Sequence, residues 1–99
     1  VIKTVALDEY AVTTLMRDIV GHDRNPSAYL VYLHLACERE IQSVPLVRAS
    51  HQTIAEGTGL SKSAVQKAIR YLNARKLLRT QRDSPTAVPQ HRVLRTWRR

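Results

Sequence analysis

The stretch that decides the fold is His51-Gln52-Thr53-Ile54-Ala55-Glu56-Gly57-Thr58-Gly59-Leu60-Ser61-Lys62-Ser63-Ala64-Val65-Gln66-Lys67-Ala68-Ile69-Arg70. Ser50 is a good N-cap for a helix from His51 to about Gly57, and Ser61 caps a second helix that runs to about Arg75. Gly57-Thr58-Gly59 reads as the tight turn between them. Two helices joined so closely must cross steeply, which demands particular residues. Ala55 is small where the second helix passes over the first, and Gly59 permits the left-handed backbone the turn needs. Ile54, Leu60, Val65 and Ile69 plug the shared interior.

A small residue, a glycine and branched aliphatics at these offsets describe a helix-turn-helix. On a wheel at about 100° per residue, Val65, Ala68, Ile69 and Leu72 form one buried stripe. Ser63, Gln66, Lys67 and Arg70 gather near the opposite pole, and Ser61 stands at the helix entrance. These five are the expected base-facing residues. Arg and Lys donate to guanine O6 and N7, Gln pairs with adenine, and Ser serves either way. Lys62 at the helix start suits a phosphate, as do Ser50, His51 and Gln52 at the start of the preceding helix. Arg75, Arg79, Arg82 and Arg92 flank the following hairpin and are further phosphate candidates.

The segment resembles the winged helix-turn-helix DNA-binding domains of bacterial transcription regulators, of the MarR-like or GntR-like kind. The resemblance is carried by Gln52-Thr53-Ile54-Ala55-Glu56, Thr58-Gly59-Leu60-Ser61, Ser63-Ala64-Val65, Ala68-Ile69 and Leu72, followed by Leu77-Leu78-Arg79 where the family has its first wing strand. It is specific over 50–82 and looser over 26–49 and 91–97. It implies a mainly α fold with a small β-wing, double-stranded DNA as partner, and transcription regulation as the role. Many such regulators bind as dimers, so a homodimer is among the expectations. Two departures stand out. Asp83 to Gln90, at the wing tip, has no glycine and no Lys or Arg, which argues against deep minor-groove insertion. No long helix follows the wing, and no effector domain is present in the chain.

Working outward, Asn25-Pro26 is N-cap plus first helical residue, and Tyr29 to Cys37 is apolar nearly all round. That pattern predicts a central helix to about Glu40, sharing a core through Leu30, Leu33 and Leu35 with Leu60, Val65, Ile69 and Leu72. Asp8 reads as the N-cap of an additional helix ending at Gly21, with Ala11, Leu15 and Ile19 on one face. Val44-Pro45-Leu46-Val47 is a short strand start, and Leu77 to Arg82 and His91 to Trp97 form a hairpin. The whole is one domain: residues 1–24 an extra helix and link, 25–99 the winged helix core.

Charge supports the functional reading. Residues 1–49 hold five basic and six acidic side chains, whereas residues 50–99 hold eleven basic and two acidic, a net of +9 out of +8 for the chain. The motif therefore sits in the half that favours a polyanion. No apolar run approaches the ~18 residues of a membrane span, so no membrane partner is expected. Cys37, the single cysteine, favours a reducing compartment, hence the cytoplasm. The chain starts without an initiator Met, so a processed chain or a piece cut from something longer is expected.

Other functions find little footing. His34 and Cys37 lack the second ligand pair a zinc site needs, and read as a packed ring and a buried thiol. His22, His51 and His91 read as surface histidines, although His51 is near a phosphate position. No phosphate-binding glycine loop or catalytic triad is identifiable, so neither enzyme nor cofactor is expected. The alternatives are a plasmid or phage replication initiator, which shares the fold, and a protein-binding module for an acidic partner.

Overall fold

The computed structural model describes residues 2–98. Three capped helices supply its frame. In α1 (Pro26–Gln42), the Asn25 side chain accepts from the Ala28 amide at 3.2 Å, and Pro26 occupies the first turn, where its missing N–H costs nothing. Ser50 caps α2 (His51–Thr58) by accepting from the Thr53 amide at 3.1 Å. Ser61 does the same for α3 (Lys62–Ala74) at the Ala64 amide, also at 3.1 Å. Between α2 and α3, Gly59 takes φ 81°, a conformation a side chain would strain.

A small antiparallel sheet is built from β1 (Val47–Arg48), β2 (Leu78–Gln81) and β3 (Gln90–Val93), in the order β1-β3-β2. Leu78 lies opposite Val93, Arg79 opposite Arg92, Thr80 opposite His91, and Val47 also opposite His91. The inner sheet face contributes Val47, Leu78 and Val93 to one core with Ala28, Val31, Tyr32 and Leu35 of α1, Ile54 of α2, and Val65, Ala68, Ile69 and Leu72 of α3. Architecture is thus mainly helical with a three-stranded antiparallel sheet. Among the described residues no helix is long and apolar enough to cross a membrane.

Several details depart from the sequence reading. The N-terminal helix forms, but as π-helical segments Ala11–Leu15 and Arg17–His22, with i→i+5 bonding such as Asp23 N–H to Asp18 O at 2.9 Å. It runs through Gly21 instead of stopping there. Asp8 does not cap it: the carboxylate accepts from Trp97 Nε1 at 2.7 Å and from Arg98, tying the two ends of the chain together. On α1, Leu30 is exposed and Leu33 only half-buried, while Tyr29, Val31 and Tyr32 point inward. Gly57 and Thr58 belong to α2, so the turn is Gly59 to Ser61 alone. β1 begins at Val47, after Pro45, and β3 ends at Val93, leaving Trp97 off the sheet and stacked on Tyr10 at 4.7 Å.

His91 is the largest departure. It is fully buried, not a surface histidine. Its Nε2 lies 3.0 Å from the Ala49 carbonyl, an acceptor only, so that nitrogen carries the proton. Nδ1 then accepts from the Thr80 hydroxyl at 2.9 Å. Asn73, near the end of α3, donates to Thr80 Oγ1 at 3.0 Å and accepts from the Thr80 amide at 3.0 Å. This chain of bonds fastens α3 to β2, β2 to β3, and β3 to the segment leading into α2.

Candidate nucleic-acid interface

The polar face of α3 follows from its pattern of burial. With Val65, Ala68, Ile69 and Leu72 turned into the core, Ser63, Gln66, Lys67 and Arg70 are all exposed along the opposite side. None of the four is engaged in a side-chain hydrogen bond or ion pair among the described residues. They are free to meet a partner. Ser61 is exposed too, but its oxygen caps α3, which leaves one lone pair and the hydroxyl proton to offer.

Beside the start of α3 lies a cleft of about 230 Å³ between the beginning of α2 and the β2–β3 loop. Ser50, His51, Gln52, Lys62 and Arg82 line it on the polar side, and the loop closes it with Thr86 to Pro89. Five of the eight expected phosphate residues thus converge from three separate elements. The amides at the start of α2 add the positive end of a helix dipole. Arg82 spans the loop by donating to the Ala87 carbonyl at 3.2 Å, which fixes its guanidinium at the rim. Gln52 donates to Glu56 at 3.1 Å, so its amide is partly committed. Burial, with the positive charges of Arg82 and Lys62 adding to it, holds the His51 imidazole below its usual pKa.

The remaining three arginines lie elsewhere. Arg75 pairs with Asp18 at 2.8 Å and with Asp23, and its guanidinium also reaches the Tyr71 hydroxyl. It anchors the N-terminal helix to α3 and is not available to a phosphate in the cleft. Tyr71 donates to Asp23, and burial together with that bond pushes its phenol up to about 12. Arg79 and Arg92 are exposed on the outer face of the sheet, with Arg48 of β1 on the same face. Arg48 belongs to the half whose net charge is negative, and its alternation with buried Val47 is what turns it outward.

Asp18, His22 and Asp23 bring three metal-type ligand atoms within 4.8 Å of one another. Arg75 already bonds both carboxylates, and Tyr71 donates to Asp23, so the cluster acts as an ion-pair anchor. His34 packs against Gly57, where an added Cβ would lie 2.8 Å from Nε2, and Cys37 is half-buried with its thiol pushed up by burial. No protein-family model, curated protein or solved structure matches the chain.

Proposed function

We propose that this chain is a winged helix-turn-helix domain that binds double-stranded DNA sequence-specifically, as a bacterial transcription regulator does. The observation carrying the reading is the pairing of an unengaged polar face on α3 with a basic cleft at its entrance. Ser63, Gln66, Lys67 and Arg70 offer the donors and acceptors that base edges in a major groove require. Lys62, Arg82 and the start of α2 offer what a backbone phosphate requires, which sets the register of α3 on the duplex. The β2–β3 hairpin serves as the wing, and its uncharged tip closes the cleft with Thr86 to Pro89. The chemistry is that of a binding domain, with no catalytic step.

Selection from a randomised duplex pool tests this directly. A recovered motif is the expected result, and a palindrome would make the bound species a dimer. Absence of duplex binding at low salt would sink the reading and favour a protein module with an acidic partner.

A further inference from the structure

The sheet has an outer face that the duplex reading of α3 leaves unused. Alternation along the strands turns Leu78, His91 and Val93 inward and Arg79, Gln81, Gln90 and Arg92 outward. The register sets Arg79 directly opposite Arg92, Gln81 opposite Gln90, and Gln90 opposite Arg48 of the edge strand. With strands about 4.8 Å apart and outward residues about 7 Å apart along each, three guanidinium groups and two amides share one small face. Two directly opposed arginines repel each other and weaken the pairing they sit on. Among the described residues Arg48, Arg79 and Arg92 form no ion pair; Asp8, Asp18, Asp23 and Glu40 are paired with other cations, and Glu38 and Glu56 accept from Gln42 and Gln52. Lys76, exposed at the end of α3, lines with Arg79 an open trough that extends the charge beyond the strands.

Such a face fits an anion that supplies several charges at once. Among the described residues no aromatic side chain lies on these strands' outward positions, so splayed bases would find no stacking platform, and a single strand is poorly served. Arginines in two rows suit the backbone of a duplex. This face and the polar face of α3 look outward from different sides of one core, with Leu72, Leu78 and Val93 between them. We propose that the outer sheet face binds the phosphate backbone of a second duplex segment, without sequence preference, so that one domain joins two duplexes. The proposal rests on the reading of α3 as the specific surface.

The test immobilises a duplex carrying the selected site and measures capture of a second, labelled random duplex by the protein. Wild type should capture it, and Arg48→Gln/Arg79→Gln/Arg92→Gln should lower capture by about tenfold or more while affinity for the single selected duplex changes by less than about threefold. Arg→Lys replacements at the three positions should retain capture, since a phosphate accepts either cation; this separates contact from misfolding. Equal capture by the Gln variant would overturn the proposal, as would a parallel loss of single-duplex affinity, which would put the three arginines on the same duplex as α3. Wild type that binds one duplex but captures no second overturns this inference alone. Wild type that binds no duplex overturns the reading of α3 with it.

Discussion

Arg70 and Arg82 carry the same charge in different settings, and the difference is measurable. Arg70 projects from the unengaged face of α3, whereas Arg82 is held at the cleft rim by the Ala87 carbonyl. A bidentate arginine discriminates its base by about 1–3 kcal/mol, while a phosphate contact carries no sequence information. Arg70→Ala should relax preference at one base position; Arg82→Ala should weaken all duplexes alike and make the salt slope shallower by about one unit. Affinities for single-base variants of the selected site decide between them, and unchanged preferences in Arg70→Ala would remove it as a reader. His91 gives a prediction of a different kind. Burial depresses its pKa below the ordinary 6.5, so the unfolded chain binds a proton more readily than the folded one. Stability should therefore be full above pH 6.5 and fall as pH drops below it. His91→Gln should flatten that part of the profile, measured as urea midpoints from pH 7.5 to 5. A wild-type profile identical to the variant's would show that the buried ring does not drive the loss.

At the scale of elements, what was legible was whatever a local rule dictates. Asn25, Ser50 and Ser61 cap the helices they announce, and the alternation of buried and exposed residues on α3 follows the wheel. Replacing Ile69 with Ala should cost about 2–5 kcal/mol, because the side chain sits in the shared core of α1 and α3. A denaturation midpoint unchanged in that variant would contradict the packing. What was illegible depended on partners distant in sequence. Asp8 has the chemistry of an N-cap, yet Trp97 and Arg98 claim it from the other end of the chain, and those bonds hold its carboxyl down at about 2. His91 looks like a surface histidine until the register sets it between Thr80 and Ala49. An apolar spacing of four, as in Ala11, Leu15 and Ile19, lies between the 3.6-residue turn and a wider one, so the sequence could not choose the π-helical form. The candidate site divided the same way. Residues on α3 were placed by periodicity, but which arginines join the cleft was decided by tertiary contacts that drew Arg75 to Asp18 and Asp23.

For the whole molecule, the net charge of +8 on 99 residues sets two salt effects in opposition. Most of the excess lies from the start of α3 through the hairpin, where exposed cations such as Lys62, Lys67, Arg70, Arg79 and Arg92 have few acidic neighbours. Compacting like charges costs free energy, and mobile ions screen that cost with a Debye length of about 10 Å at 0.1 M. The ion pairs that salt would weaken are few and partly exposed, so each contributes little. Repulsion therefore dominates, and added monovalent salt should raise the melting temperature of the free protein. Duplex binding responds the other way. If four to six phosphates are neutralised, log K against log salt should fall with a slope of roughly −4 to −5 as condensed counterions are released. Thermal melts and duplex titrations over the same salt series test both, and the expected outcome is a rising stability beside a falling affinity. A melting temperature that falls with salt would mean that the Arg75 and Arg98 ion pairs outweigh the repulsion. A binding slope near zero would remove phosphate from the interface, because a basic cleft filled by a neutral partner releases no counterions.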